Sequence, residues 1–283
     1  MEEKLTLKEI MSYGAGDFAQ NGMFTFISSY LLFFCTDAVG IDLEAAGLIL
    51  LIGRTADALL SPFIGSVLDR SQTVNGKCKP YIRFFIFPEF LLLVLVFAVP
   101  ELQESVKLLY LGTVYLLFSI AYAIMSVAYF TLLSLMTRRE DERLRLNLFK
   151  NLGASMGGTL VTASVLKIVE RFSPKIKYGF LFAVTGFAFV FMTAGVLCAK
   201  NTKERVKAKR TEKLNFIQAF GVTRKSRAWI VLCLIHFSEL FFYSMRTQGL
   251  IYYCKYYLGR ENIGAVLLTM TQIVTKGSVL GRI

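Results

Sequence analysis

The chain has 283 residues, of which 55% are apolar and 18% are charged, and its mean hydropathy is +0.54. A soluble domain carries about 25% charged and about 45–50% apolar residues, so this composition excludes an ordinary soluble enzyme or binding module. The net charge of +12 would suit a nucleic-acid partner. However, the basic residues lie in loops between apolar stretches, so we expect no nucleic acid.

Eight apolar stretches are long enough to cross about 30 Å of hydrocarbon as helices. Helices are expected because the membrane core has no water to hydrogen-bond an open backbone. The predicted spans, in chain order, are 12–36, 43–68, 81–100, 107–136, 148–170, 178–199, 228–254 and 262–283. The sequence therefore predicts an all-α polytopic membrane protein.

One long polar segment, 200–227, divides these spans and is rich in Lys and Arg. It predicts three parts: a six-helix bundle over 1–199, a cytoplasmic basic linker over 200–227, and an incomplete second bundle over 228–283 with helices seven and eight. Six helices followed by a long basic loop are typical of transporters with two six-helix halves. We expect the chain to be a fragment of such a protein, truncated at its C-terminus.

The basic residues also predict an orientation. With the N-terminus in the cytoplasm, Lys and Arg are roughly three times as frequent in the cytoplasmic loops as in the opposite loops, which fits the positive-inside rule. We therefore expect an integral protein of the cell membrane with a cytoplasmic N-terminus.

Ionisable residues inside the spans are costly, so each needs a partner, a cavity or a function. Arg54 and Asp57 are three apart on helix two and hence share a face,. They form either an internal ion pair or a site where Asp57 takes a cation or proton beside Arg54. Glu89, which follows Pro88 in helix three, is either a second titrating group or a packing contact.

Other chemistry is not indicated. The five cysteines are scattered, the one histidine is His236, and no phosphate loop, nucleophile elbow or zinc-protease motif is present,. We therefore expect no enzyme activity, no cofactor and no metal site. Gly153 and Gly157 form a G-x-x-x-G pattern that predicts a close approach of helix five to a neighbour.

Several motifs resemble one known family. Helix two and its exit read R-T-A-D-A-L-L-S-P-F-I-G-S-V-L-D-R (Arg54–Arg70), then G-K-C-K-P (Gly76–Pro80). Y-G-A-G-D, Y-L-L-F-F-C-T-D-A-V-G and G-L-I-Y-Y-C-K-Y-Y-L-G begin at Tyr13, Tyr30 and Gly249. These motifs resemble the glycoside-pentoside-hexuronide cation symporters of the major facilitator superfamily. The resemblance implies twelve helices in two bundles, alternating access to a central sugar site, and coupling to sodium or a proton.

The family's coupling site is only partly present. The resemblance implies two helix-two carboxylates four apart, and this sequence has Asp57 and Ser61, with Arg54 nearby. The supporting amide, hydroxyl and acid positions hold Leu60, Ala123 and Ser126. Sodium prefers several oxygen ligands with net negative charge, by the same logic as other hard cations. We therefore expect coupling to a proton ahead of sodium, or uncoupled transport.

The implied sugar site also departs from the family pattern. Asn21, preceded by Gln20, stands at the helix-one acid, and Phe130 replaces a helix-four tryptophan. The helix-five arginine position falls on Lys150 or Asn151. The candidate substrate-binding residues are Asn21, Gln20, Tyr122, Ser126, Phe130, Lys150 and Asn151. Amides and aromatic rings can bind sugar hydroxyls and pyranose faces.

The loop after helix two resembles the superfamily's cytoplasmic gate. Its candidate residues are Asp69, Arg70, Gly76, Lys77 and Lys79. The basic members could alternatively serve only as topology charges.

The leading hypothesis is a monomeric secondary transporter in membrane lipid, with a glycoside or related sugar as its substrate. The alternatives are a transporter of a non-sugar amphiphile and a truncated, non-transporting membrane protein.

Overall fold

The computed structural model describes residues 4–70, 76–206, 221, 226–259, 263–264 and 266–270, without the side chains of Asp69 and Arg70. Within these residues seven long helices occur. They are α1 (Leu7–Phe33), α2 (Leu43–Arg70), α3 (Lys79–Phe97), α4 (Glu104–Met136), α5 (Glu140–Glu170), α6 (Ile176–Asn201) and α7 (Arg227–Tyr252). Two π-helical turns, Phe34–Ala38 and Tyr253–Tyr257, extend α1 and α7. Most of the predicted eighth span and of the basic linker lies outside the described residues.

Helices α2 to α7 are long and apolar enough to cross a membrane. The prediction of an all-α polytopic membrane protein is therefore confirmed, and the chain is an integral membrane protein. Helix α1, which the sequence predicts as the first span (12–36), is not among the six, so its crossing of the membrane stays a prediction. Asp17, Gln20 and Asn21 make α1 more polar. Most of α1 is enclosed by other helices, so its polar side chains face protein.

Helix α1 packs most closely against α5 because both helices carry glycines at the contact. A Cβ on Gly153 would lie 2.0 Å from the Gly14 carbonyl oxygen, and one on Gly157 would lie 2.2 Å from the Phe18 carbonyl oxygen. No side chain fits in such a space, so the G-x-x-x-G prediction of a close approach is confirmed.

Aromatic rings fix α1 against α3 and α6. Phe26, Phe34, Phe97 and Phe180 are fully buried. Ring centroids lie 5.0 Å apart for Phe26 and Phe97, 4.8 Å for Phe34 and Phe97, and 5.5 Å for Phe34 and Phe180. Tilted and edge-to-face contacts of this kind are the favoured aromatic geometries. They hold the C-terminal half of α1 in a defined place.

Successive helices run in opposite directions, which gives the bundle two ends. Helix α1 begins at a capping box in which Thr6 N–H donates to the Glu9 carboxylate (2.9 Å) and Glu9 N–H donates to Thr6 Oγ1 (3.3 Å),. The ends of α4 and α6 and the start of α5 lie beside this cap. We name this the Glu9 end. The opposite end holds the α1 turn with Asp37 and is named the Asp37 end.

Candidate functional site

A buried hydrogen-bonded group joins α1, α3 and α4 in the middle of the bundle. The Gln20 amide nitrogen donates to both Glu89 carboxylate oxygens, at 3.0 and 3.1 Å. Ser126 Oγ donates to Gln20 Oε1 at 3.0 Å. We name Gln20, Glu89 and Ser126 the amide cluster. Two predicted substrate-binding residues, Gln20 and Ser126, thus come together, whereas Glu89 was not among the predicted site residues.

A second polar feature, the arginine cleft, opens beside the amide cluster. Residues of α1, α2 and α4 line it: Phe24, Ile27, Arg54, Asp57, Tyr115, Phe118, Ser119 and Tyr122. Arg54 Nη2 donates to Ser28 Oγ at 2.6 Å, and the guanidinium carbon lies 4.6 Å from the Phe24 ring centroid. A cation over an aromatic face is stabilised by the negative electrostatic potential of that face. Arg54 is therefore held by α1 rather than by its own helix.

Arg54 and Asp57 line the same cleft without forming a close ion pair. Within the described residues, no Arg54 nitrogen lies within 4.0 Å of a carboxylate oxygen of Asp57. Ser61 Oγ donates to the Asp57 backbone carbonyl at 2.8 Å and lies 3.4 Å from Asp57 Oδ1. Of the two alternatives for this pair, the geometry disfavours a tight ion pair. It leaves Asp57 as a half-buried carboxyl with one weak hydroxyl neighbour.

Tyr122 connects the arginine cleft with the amide cluster. Its ring packs 6.0 Å from the Phe118 ring and 6.4 Å from the Phe24 ring. Its phenol interacts with Ser126 and lies within electrostatic range of Glu89 and of Arg54. The predicted residue Tyr122 thus stands between the two groups. On the other side of Phe24, the Tyr243 ring of α7 packs at 6.4 Å.

Phe130, Lys150 and Asn151 neither line the arginine cleft nor bond to Gln20. Lys150 Nζ is 5.2 Å from the centroid of the Phe130 ring, which is 55% exposed. Asn151 is exposed and Asn21 is half-buried. The hydrogen bonds around Gln20 include neither Lys150 nor Asn151. The Lys150–Phe130 pair is therefore a separate feature of the α4–α5 surface.

The predicted gate is partly described. The side chains of Asp69 and Arg70, and residues 71–75, lie outside the described part of the chain. Gly76 has a φ of +107°, and a Cβ there would lie 2.8 Å from the Glu204 carboxylate. That carboxylate accepts backbone N–H bonds from Lys77 (2.7 Å), Cys78 (2.8 Å) and Lys79 (2.9 Å), so it caps the start of α3,.

Residues 202–206, which we name the α6 clasp, tie the Glu9 end together. Lys79 Nζ donates to the Thr202 carbonyl at 2.5 Å, and Arg205 pairs with Glu9 through Nη1 (2.8 Å) and Nη2 (3.0 Å). Burial by itself raises the pKa of Glu9, but the hydrogen bonds from Arg205 and Thr6 outweigh it and hold that pKa below its ordinary value,. In the sequence, the α6 clasp is marked by an acid and a base, Glu204 and Arg205, that follow the apolar sixth span.

At the Asp37 end, α1 and α7 are joined by charged and polar side chains. The Asp37 carboxylate accepts hydrogen bonds from Lys255 Nζ and from the Tyr256 hydroxyl (2.8 Å), and we name these three residues the α1–α7 latch. Thr36 Oγ1 and the Tyr252 hydroxyl are 3.0 Å apart beside it. Burial alone raises the pKa of Asp37, which lies just past the predicted first span, but the hydrogen bond from Lys255 reverses this effect and lowers it. These residues lie in two of the motifs that carry the family resemblance, but sequence analysis assigned none of them a role.

Comparison with known proteins adds three relatives and one family. The sequence matches the family described as MFS/sugar transport protein over residues 12–280. It is 33% identical to the uncharacterized symporter YnaJ of Bacillus subtilis (strain 168) over 271 aligned positions, and the alignment covers 92% of this chain and 57% of that protein. It is 30% identical to the uncharacterized symporter YjmB of the same organism over 289 aligned positions, and the alignment covers 99% of this chain and 61% of that protein. It is 26% identical to the isoprimeverose transporter of Lactiplantibacillus pentosus over 276 aligned positions, and the alignment covers 96% of this chain and 58% of that protein. The chain thus spans less than two thirds of the length of these relatives.

Proposed function

The chain belongs to the MFS/sugar transport protein family, and from this premise we propose that the protein is a secondary transporter that carries a glycoside or related sugar by alternating access. The family match confirms the resemblance noted in the sequence and fits the expectation that the chain is not an enzyme. The observation that carries the proposal is the polar interior, formed by the amide cluster and the arginine cleft inside a bundle of apolar helices. Polar side chains at membrane depth mark solute and ion pathways.

The chemistry of the arginine cleft suits a sugar. Phe24, Phe118 and Tyr122 offer ring faces on which a pyranose can pack, and Arg54 offers donors to hydroxyl oxygens,. The Tyr243 ring of α7 packs against Phe24, so the second bundle would supply the opposite wall. A relative that covers most of this chain is named for transport of isoprimeverose, a glycoside.

We propose a proton rather than sodium as the coupling ion. Sodium prefers several oxygen ligands, and in the described part of the cleft Asp57 has Ser61 as its hydroxyl neighbour and the Arg54 cation on the same helix,. A carboxyl that gains and loses a proton needs no such cage.

The proposed location is the cell membrane, with the Glu9 end in the cytoplasm and the Asp37 end outside. This orientation rests on the excess of Lys and Arg at the Glu9 end,. In this orientation the α1–α7 latch closes the outer side between α1 and α7. The exposed apolar side chains of α7, such as Phe237 and Phe242, suit contact with lipid or with further helices, and we expect a monomer.

Solute uptake into proteoliposomes under separate inward proton and sodium gradients tests this proposal. The panel contains isoprimeverose and other neutral and acidic glycosides, with an amphiphile such as a lysolipid for comparison. We expect proton-driven accumulation of at least one glycoside, and loss of that accumulation in Asp57→Asn. Sodium-stimulated uptake that vanishes in Asp57→Asn would overturn proton coupling. Uptake of the amphiphile alone would overturn the sugar assignment.

A further inference from the structure

Glu89 is a buried carboxyl that the proposed coupling through Asp57 does not use. It lies in α3 directly after Pro88, and its residue is 1% exposed. The space beside it is lined from α1 by Gly16, Gln20 and Met23, from α4 by Met125 and Tyr129, and from α6 by Phe191 and Cys198. The carboxyl is therefore enclosed by three neighbouring helices and does not face lipid.

No cation neutralises Glu89 within the described residues. Its hydrogen-bond donor is the neutral amide of Gln20, and no Lys or Arg nitrogen lies within 4.0 Å in that part of the chain. The titratable groups that face it are Tyr122 and Tyr129 from α4 and Cys198 from α6. None of these groups is a cation. An ionised carboxylate with one neutral donor is costly in such a place, so binding a proton is favoured.

Gln20 is suited to serve Glu89 in both protonation states. In the described arrangement its NH2 group donates to the carboxylate and its oxygen accepts from Ser126. A half-turn of the amide presents the oxygen to a protonated Glu89, which then donates, and presents the NH2 group to Ser126 Oγ, which then accepts. A hydrocarbon at position 20 could not exchange roles in this way.

Reorientation of the Gln20 amide would affect the arginine cleft through two further residues, Ser126 and Tyr122. Ser126 Oγ bonds to Gln20, and the Tyr122 phenol interacts with Ser126 and lines the arginine cleft with Asp57. When the amide turns, the Ser126 hydroxyl hydrogen is released from Gln20 and becomes available to Tyr122. The protonation of Glu89 is thus coupled to the hydrogen bonding of a ring on which the solute would pack.

From this arrangement we infer that Glu89 is a second proton-binding residue of the transport cycle. We further infer that Gln20, Ser126 and Tyr122 connect it to the arginine cleft. Its role in the cycle rests on the proposed transport function, whereas proton binding at Glu89 does not. The proton comes from water on one side, converts the carboxylate to the neutral acid, and leaves to water on the other side. No other bond is made or broken.

Infrared difference spectroscopy of the membrane-reconstituted protein tests proton binding without any substrate. As the pH is lowered, we expect a carbonyl band of a protonated carboxylic acid that is lost in Glu89→Gln. The band should persist in Asp57→Asn and in the exposed control Glu239→Gln. Gln20→Leu should shift its frequency, because that variant removes the hydrogen-bond partner. A spectrum that is the same in Glu89→Gln and wild type would overturn proton binding at Glu89.

Transport of isoprimeverose, or of another glycoside that the panel identifies, tests the role in the cycle. Glu89→Gln mimics a permanently protonated carboxyl, so the ratio of proton-driven accumulation to counterflow should fall at least tenfold below that of wild type. An unchanged ratio would show that the proton on Glu89 is only structural and would overturn the role in the cycle. If wild type transports no glycoside, the proposed function and this role both fail, while the infrared result still decides proton binding.

Discussion

Lys255, in the turn that ends α7, donates a hydrogen bond to Asp37, in the turn that ends α1, although the two residues are 218 positions apart in the chain. The Asp37 side chain is 6% exposed and that of Lys255 22%. The ammonium also lies 4.7 Å from the centroid of the Phe33 ring. This contact joins the first six helices to α7, so separating them means exposing a charge pair and an aromatic contact to water.

Replacing Lys255 by Met should favour separation of α1 and α7 at the Asp37 end. Removal of one partner from a mostly buried pair leaves an uncompensated carboxylate, and we expect the equilibrium to shift by about 1–3 kcal/mol, or about fivefold to 150-fold. Spin labels at the exposed positions 44 and 257 would report the distance between the ends of α1 and α7. A Cys233→Ser background is needed because Cys233 is exposed and would also be labelled, whereas the other four cysteines are buried.

The matched control for this experiment is Lys177→Met. Lys177 pairs with Glu101 at the same end, but Lys177 lies in α6 and Glu101 in the loop between α3 and α4, so the pair does not involve α7, and Glu101 is largely exposed. The label distance should not change in this variant. An unchanged distance distribution in Lys255→Met as well would show that the latch does not hold the two parts together.

Gly153→Ala should destabilise the protein strongly. The added methyl group would lie 2.0 Å from the Gly14 carbonyl oxygen, and both atoms belong to packed helices that cannot yield by a rotamer change. We expect a loss of about 1–3 kcal/mol or more, and a clear fall in the apparent Tm measured in detergent. Gly186→Ala is the control because nothing lies within 4 Å of its Cβ position. It should leave the apparent Tm equal or slightly higher. Equal apparent Tm values for the two variants would contradict the α1–α5 packing described here.

Arg205→Met should weaken the Glu9 end. Glu9 is 4% exposed and would keep only the Thr6 cap as a hydrogen-bonding partner, so we expect a loss of about 1–3 kcal/mol at neutral pH,. Arg139→Gln removes an exposed pair with Asp141 of similar length (2.8 Å) and should change stability by less than about 0.5 kcal/mol,. Equal effects of the two variants would mean that the α6 clasp contributes no more than a surface pair.

The ion pair of Glu9 and Arg205 predicts that the stability of the protein depends on pH. The folded-state pKa of Glu9 lies below its ordinary value of 4.5, so the folded protein keeps Glu9 ionised where the unfolded chain has begun to bind a proton,. The stabilisation by Arg205 is therefore fully present above about pH 4.5 and is lost as the pH falls through the folded-state pKa. In Tm measurements against pH, the difference between wild type and Arg205→Met should be constant down to that point and then shrink. A difference that grows on acidification has the wrong sign for this account.

Hydropathy could predict the existence of the long helices but not all of their ends. The prediction for the fourth span, 107–136, agrees well with α4 (Glu104–Met136). The fifth, 148–170, misses the start of α5 at Glu140 by two turns, because the first turns are charged. Glu140, Asp141 and Glu142 suit the positive end of a helix dipole but lower the local hydropathy,. A helix that extends beyond the membrane therefore escapes an apolar window.

In the candidate site too, the sequence predicted some residues and missed others. Family motifs indicated Gln20, Ser126 and Tyr122, and these residues lie together because α1 and α4 face each other across the interior. Glu89 and the α1–α7 latch were not predicted as site residues, since a single sequence does not say which face of α3 meets α1 or which residue of α7 meets Asp37. Such pairings depend on the glycine-mediated approach of α1 to α5 and on the position of α7.

Counterflow in proteoliposomes tests the central claim of alternating-access transport most directly, because it needs only binding and exchange and no ion gradient. Vesicles containing the purified protein are loaded with unlabelled isoprimeverose, or another glycoside of the panel, and diluted into a trace of the labelled compound. We predict a transient accumulation of label above the equilibrium level for at least one glycoside, and none in protein-free vesicles. Label that never exceeds equilibrium for any glycoside, while a transporting relative shows the overshoot under the same conditions, would contradict the account.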